Sequence, residues 1–205
     1  IVGPPYQTIL FNDESHSYDD VIATLCRSLN VAEDKATFLA SVVDREGRTT
    51  VRSGENDDCE QIRDSIATLS TIQGTKAALK VESMSSCLIS HQQCAIKLLS
   101  WLVKLGQNFG PILQILNEFF IESGENLSLV EFCLAKDSTL WKSARTAIHQ
   151  FILGTVLLDL ETKKKFARIF MRNYGILASH FAKDDHEHSI SIISLTVQLF
   201  TVPTI

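Results

Sequence analysis

The residues of this chain best suited to chemistry follow its first apolar run. Residues 6–11 (YQTILF) alternate like a β-strand, and the cluster Asn12, Asp13 and Glu14 comes directly after them. The strand therefore leaves the core with hydrogen-bond acceptors on its first exposed turn. Acceptors in a row suit a cation, whereas the structural alternative for Asn12 and Asp13 is an Asx-type turn.

Further carboxylates lie at helix ends. Asp19 and Asp20 fall in the first turn of a predicted helix, where the helix dipole favours negative charge, so capping explains them. Asp44 instead ends the next predicted helix, where the dipole disfavours a carboxylate. This misplaced charge indicates a functional role, and pairing with Arg45 or Arg48 is the structural alternative.

The elements that position these groups form a small α+β unit. Predicted strands cover residues 6–11, 48–52 and 76–82, and predicted helices cover residues 19–29, 32–43 and 57–71. Asn30 and Gly47 are expected to end the first two helices. The pattern predicts a three-stranded sheet with helices on one face.

The apolar period becomes helical after residues 83–86, the predicted junction between a domain at residues 1–84 and an all-α helical region at residues 85–205. Pro111 is expected to open the second helix of a hairpin. Asp137 and Ser138 are expected to cap a third helix that runs through Leu158, and an apolar stripe predicts a fourth. That stripe is Phe166, Ile169, Phe170, Tyr174, Leu177 and Phe181.

Composition restricts the class of protein. With 205 residues and 45% hydrophobic content, the chain can bury the core of one domain or two packed ones. A net charge of -5 argues against nucleic acid and anionic membranes as partners. The five cysteines are odd in number and lack CxxC spacing, so reduced core thiols without disulfide or zinc are expected. No basic leader or membrane-length apolar run is seen, and the missing initiator Met favours a piece of a longer protein.

Two other clusters contain residues that can do chemistry. The acidic and histidine run at residues 184–188, with His180 one turn earlier, can be imagined around a metal, but consecutive residues diverge in direction. A cap for the last helix that includes Ser189 is favoured instead. Cys87 and Cys94 near His91 lack an orienting partner and have an apolar setting, which argues against a nucleophile.

A family resemblance sharpens this picture. Residues 6–14 and 36–48 (ATFLASVVDREGR) resemble the ClpS adaptor domain over about the first 84 residues. Residues 140–142 (LWK), 184–189 (DDHEHS) and 200–203 (FTVP) resemble the helical region that follows the ClpS-like domain in eukaryotic UBR-type ubiquitin ligases, or N-recognins. Because of this resemblance, the ambiguous residues 189–202 are predicted to be a helix.

The resemblance implies recognition of type 2 N-degrons, which are free N-termini beginning with Leu, Phe, Tyr, Trp or Ile. The chain would be the non-catalytic substrate-binding part of a cytoplasmic or nuclear RING-type E3 ligase. The RING, the contact with E2 and ubiquitin, and zinc would lie outside these residues, so no cofactor is expected here. The alternative is a scaffold that has lost binding, and a hydrolase is a distant third.

The resemblance also implies the site residues. An α-amino group has a pKa of about 7.7–8.0 and carries three donors, so it needs three acceptors. Asn12 and Asp13 match the Asn-Asp pair of the family, Asp44 falls where bacterial ClpS has a histidine, and Glu14 adjoins them. The side-chain pocket is expected to comprise His16, Tyr18, Val21, Ala40 and Val43, with Ala40 in place of the usual methionine.

Overall fold

A computed structural model of the protein describes residues 3–72, 77–122, 128–183 and 190–201. The chain divides into two compact units between Cys94 and Ala95. The first unit contains strands β1 (Tyr6–Phe11), β2 (Arg48–Gly54) and β3 (Val81–Ser85) and helices α1 (Tyr18–Leu29), α2 (Glu33–Glu46) and α3 (Asn56–Ile72).

The remaining elements are helical, and the division between the units falls within the first of them. They are α4 (Ser86–Asn108), α5 (Gly110–Glu122), α6 (Leu129–Lys136), α7 (Lys142–Phe151), α8 (Leu160–Lys183) and α9 (Ile192–Thr201). A 3-10 turn (Asp137–Thr139) follows α6, and a π-helical turn (Ile152–Val156) follows α7. The predicted fold class, a small three-stranded sheet with helices and then a helical region, is confirmed.

The apolar run at the start of the chain becomes the central strand of the sheet. The strand order is β2-β1-β3, and both neighbours of β1 are antiparallel to it. Ile9 and Leu10 are buried, and Leu10 joins an apolar core with Leu25, Leu39 and Ile66 from the three helices. This core fixes the position of the end of β1, where the acceptor cluster begins.

The third strand begins later than the sequence predicts. Residues 77–80 are irregular, and residue 76 lies outside the described residues. The Ser70 hydroxyl accepts a hydrogen bond from the Leu79 backbone N–H at 3.0 Å, so this donor serves α3 instead of the sheet. Ladder pairing therefore extends from Val81 to Ser85, and the prediction of a strand over 76–82 was wrong at both ends.

The predicted helix from Asp137 to Leu158 is present over Lys142–Phe151 and continues as the π-helical turn Ile152–Val156, but its predicted cap is wrong. Asp137 is buried, and its Oδ1 lies 2.7 Å from Nε2 of His149, while its backbone carbonyl accepts from Arg145 Nε at 2.8 Å. The Asp137 carboxylate therefore contacts His149 in the last turn of α7 and does not cap the start of that helix. Helix α7 begins after Trp141, whose backbone is extended. The short helix α6 was not anticipated.

The last two helices agree better with the sequence. In α8 the predicted stripe is buried at Phe166, Ile169, Phe170, Leu177 and Phe181, although Tyr174 is 37% exposed. The expected cap at Ser189 lies outside the described residues, and α9 is instead capped by Ser191, whose hydroxyl accepts from the Ser194 N–H at 3.0 Å. Within the residues described, no helix combines the length and apolarity needed to cross a bilayer.

Candidate functional site

The end of β1, the following loop and the facing sides of α1 and α2 enclose a cavity of about 170 Å³. All nine site residues named from the sequence line it. The lining is Leu10, Phe11, Asn12, Asp13, Glu14, His16, Tyr18, Val21, Ala40, Val43, Asp44 and Leu79. Acceptors that are separated by more than 30 residues in the chain therefore share one cavity with apolar side chains.

The backbone explains why the two acceptor segments meet. Gly47 ends α2 in the left-handed conformation, with φ 81°, which glycine adopts without strain. Its carbonyl accepts a hydrogen bond from the Asn12 N–H at 2.9 Å. This bond ties the last turn of α2, which carries Asp44, to the end of β1.

Asp13 is held by its own loop. The Ser15 backbone N–H and hydroxyl donate to Oδ1 at 2.5 and 2.6 Å, and His16 Nδ1 lies 3.1 Å from Oδ2. The His16 side chain is fully buried, whereas 14% of the Asp13 side chain is exposed. Burial by itself raises the pKa of Asp13, but the bonds from Ser15 and the interaction with His16 outweigh it and lower the pKa below 3.8. Asp13 is therefore a carboxylate at neutral pH.

Asn12 and Glu14 form a second pair at the cavity. Asn12 Nδ2 donates to Glu14 Oε1 at 2.7 Å, and the pair is on the solvent side of the loop. This hydrogen bond orients the Asn12 side chain, which lines the cavity. Glu14 contributes negative charge and the orientation of Asn12.

Asp44 lies on the exposed end of α2 and faces the same cavity. The structural alternative was a pair with Arg45 or Arg48. Arg45 Nε instead donates to Glu46 Oε1 at 2.8 Å, so this guanidinium is engaged with another carboxylate. Arg48 lies in β2, where its backbone pairs with that of Phe11, so its place in the sheet leaves a side-chain contact with Asp44 open. Burial lowers the pKa of the Arg48 guanidinium to about 10, which leaves it charged at neutral pH.

The other walls are apolar. Ala40 and Val43 are buried on α2, and Val21 is half-buried on α1. The Tyr18 hydroxyl donates to the Thr37 carbonyl at 3.2 Å, which links the two helices across the mouth. The cavity can accept an apolar side chain between the helices and a charged group at the acceptors.

Sequence reasoning missed several residues of this site. Leu10, Phe11 and Leu79 complete the wall of the cavity. In the sequence these three residues are seen only as members of an ordinary apolar pattern. Ser15 is the second omission. Its spacing two residues after Asp13 is the signal of an Asx turn, which could have identified it as the donor that orients the carboxylate.

The cysteine and histidine cluster at the start of α4 does not form a catalytic site. Cys87 Sγ lies 3.6 Å from His91 Nδ1, but this nitrogen is also 2.8 Å from the Cys87 carbonyl. Cys87 and Cys94 are exposed, so the expectation of core thiols in an apolar setting was wrong for both. The described ranges contain no group of three or more His, Cys, Asp or Glu arranged for a metal, and residues 184–188 lie outside them.

Two family models match the chain. Residues 3–82 match the ATP-dependent Clp protease adaptor protein ClpS, and residues 107–205 match the UBR1/2/3-like ARM repeat domain. Part of the chain is also similar to a solved structure, that of Agrobacterium tumefaciens ClpS2 bound to L-phenylalaninamide. It is 21% identical, with a TM-score of 0.36, and the match covers 40% of this chain and 99% of that one.

Curated relatives match nearly the whole chain. E3 ubiquitin-protein ligase UBR2 of Homo sapiens is 41% identical over 98% of this chain. UBR1 of Homo sapiens is 35% identical over 98%, and UBR1 of Drosophila melanogaster is 31% identical over 99%. The chain spans about 12% of the length of each of these relatives.

Proposed function

We propose that this chain is a piece of a UBR-family ligase and that its first unit binds proteins by a free N-terminus with a bulky apolar first residue. Such N-termini are type 2 N-degrons. The observation that carries the proposal is the single cavity of about 170 Å³ in which carboxylates adjoin an apolar wall. A bulky apolar N-terminal residue has the complementary parts, a cationic α-amine for the carboxylates and an apolar side chain for the wall.

The amine half of the site rests on Asp13, Asp44 and Asn12. An ammonium group with three donors is satisfied by two carboxylates and one amide oxygen. Asp13 is prepared for this role because the Ser15 backbone N–H and hydroxyl already fix its carboxylate before a ligand arrives. Pre-orientation lowers the entropy lost on binding.

The side-chain half lies between α1 and α2. Val21, Ala40 and Val43 supply apolar contacts, and Tyr18 limits the mouth. Ala40 leaves more room than methionine near the β-carbon of the ligand. We therefore include Ile, which branches at that carbon, among the accepted first residues together with Leu, Phe, Tyr and Trp.

The expected affinity is micromolar. Each charge-assisted hydrogen bond contributes roughly 1.5–3 kcal/mol, and burial of a Leu or Phe side chain contributes about as much again. The loss of translational freedom and the ordering of the peptide offset a large share of this gain.

Within a ligase, this unit would select the substrate and would not catalyse transfer of ubiquitin. The RING, the E2 enzyme and ubiquitin would act through parts of the protein other than these residues, in the cytoplasm or nucleus. The bound partner of this chain is therefore the N-terminal segment of a substrate protein.

Calorimetry with a matched peptide pair tests the proposal. A peptide beginning with Phe should bind, and the same peptide with an acetylated α-amine should not, because acetylation removes the cation and leaves carboxylates desolvated. A third peptide with a free amine but Gly first controls for the side chain and should bind weakly. Equal binding of the free and acetylated peptides would refute the proposal. If no peptide binds, the scaffold alternative holds.

A further inference from the structure

The second unit contains a groove of about 500 Å³ between α4, α5, α6 and α7. Leu98 and Leu102 line it from α4, Ile115 and Phe119 from α5, and Cys133 from α6. Among the described residues that line the groove, Cys133 is the only one whose side chain carries a heteroatom. Burial, and then the carboxylate of Asp137, raise the pKa of this thiol, so it stays neutral. The lining therefore offers nothing to a charged or polar ligand.

Large apolar side chains on α4 and α5 are exposed to solvent, and all but Trp101 among the following four also line the groove. Ile115 is 64% exposed, Phe119 57%, Trp101 55% and Leu98 50%. These four residues define the α4–α5 face. A contiguous apolar face of this kind is typical of a surface that binds another macromolecule.

The charges on the two helices have opposite sign. The charged residues of α4 are Lys97 and Lys104, which share an outer helix face with Trp101 at spacings of four and three residues. Those of α5 are Glu118 and Glu122, which share an outer face with Ile115. Glu122 accepts a hydrogen bond from Lys165, and the same lysine also attracts Glu118. Glu118 is exposed and receives no hydrogen bond from Lys165, so it is the acid that can turn to a partner.

We propose that the α4–α5 face binds the same face of a second copy of this chain. A two-fold axis places α4 of one copy across α5 of its partner, and the reverse contact follows by symmetry. The lysine pair of each copy then meets Glu118 of the other copy, so this contact occurs twice in the dimer, while the apolar side chains cover one another. A face that is basic along one helix and acidic along the next is complementary to itself in this arrangement.

Sedimentation velocity on the whole chain measures this association. The unmodified chain should form a dimer in the micromolar range, and Ile115→Glu should weaken it by more than about tenfold. The matched control is Ile176→Glu on α8, where the side chain is similarly exposed at 60%, and this change should leave the dimer intact.

Charge reversal gives the decisive test. A chain with Lys97→Glu and Lys104→Glu has two acidic helices, and a chain with Glu118→Lys has lost the exposed acid of α5. Each should associate poorly with itself, whereas an equimolar mixture should form heterodimers, since opposite charges then face each other at both contacts. Thermal melts check that each variant is folded.

Three results would overturn the proposal. The first is a chain that stays monomeric throughout the micromolar range, including a monomer whose groove binds the neutral dye Nile red. The second is a dimer weakened equally by Ile115→Glu and Ile176→Glu. The third is a mixture of the charge-reversed chains that associates no better than either alone.

Discussion

The cavity of the first unit and the groove of the second differ in size and in chemistry. The groove of the second unit has about three times the volume of the cavity in the first, and its lining is apolar. The smaller cavity contains Asn12, Asp13 and Asp44 beside an apolar wall. Volume alone would select the groove as the ligand site. Directed acceptors are what give the smaller cavity the means to recognise a particular chemical group.

The two surfaces should also depend on different forces. Charge-assisted hydrogen bonds at the cavity require a cation and a defined geometry, so single-atom changes in the ligand should matter. Apolar contact at the groove depends on the apolar area that is buried, and it is not directional, so small changes in the shape of a partner should matter less. Variants that affect one surface and spare the other therefore test the distinction.

The largest effect is expected from removing charge at the cavity. Asp13→Asn or Asp44→Asn should weaken a Phe-initiated peptide by more than tenfold, about 1.5 kcal/mol or more, because each variant keeps its shape but loses a charged acceptor. Asp34→Asn is the matched control, since Asp34 lies in the first turn of α2, away from the cavity. Peptide titration by fluorescence anisotropy measures all three. If Asp34→Asn weakens binding as much, general negative charge explains the affinity.

A pair of glycines tests how closely the second unit is packed. A Cβ on Gly154, in the π-helical turn, would lie 2.8 Å from Val103 Cγ1, whereas a Cβ on Gly175 in α8 meets no atom within 4 Å. Gly154→Ala should therefore lower the unfolding free energy by about 1–3 kcal/mol. Gly175→Ala should raise it by about 0.5–1 kcal/mol, because alanine favours the helix. Urea denaturation measures both, and equal effects would show that the turn is loosely packed.

The side-chain half of the cavity should respond selectively. N-terminal Ile should bind within about tenfold of Leu, and Ala40→Met should reject Ile more than Leu or Phe by crowding its β-branch. Comparing the three peptides on both proteins measures this, with melting temperatures as the control for folding. A uniform loss would mean that the methionine overpacks α1 against α2, and no change would place Ala40 outside the ligand pocket.

The smallest effect concerns pH. The pKa of Asp13 is lowered on folding, so its stabilising contribution is complete above its ordinary value of 3.8 and is lost as pH falls through the lower folded value. The unfolding free energy of the unmodified chain should thus decrease more between pH 5 and 3 than that of Asp13→Asn. Urea midpoints at several pH values measure this, with Asp34→Asn as control. Parallel curves would show that the Ser15 and His16 contacts do not persist in solution.

Local pattern was enough to predict β1, the helices on either side of the cavity and the acceptor turn. The alternation of residues 6–11 and the helix ends at Asn30 and Gly47 are encoded within a few residues. The two segments of acceptors met as expected because Gly47 returns the chain to Asn12. The proposed function came from the family resemblance, because the spacing of these residues does not by itself indicate a peptide ligand.

The errors come from contacts between distant residues. Asp137 has the sequence signature of a cap, but its carboxylate meets His149 twelve residues later. Ser70 takes the Leu79 N–H that a strand pattern assigns to the sheet. In both cases a hydrogen bond between distant residues replaced the local one. An alternating or periodic sequence pattern contains no information about which distant residue a polar group will meet.

A cycle of four titrations tests the central claim most directly, that Asp13 receives the α-amine of the peptide. Free and acetylated Phe-initiated peptides are titrated against the unmodified chain and against Asp13→Asn. Acetylation should cost at least about tenfold more affinity in the unmodified chain than in the variant, because the two changes remove the same contact. An identical cost in both proteins would show that the amine and Asp13 do not interact, which would contradict the proposed site.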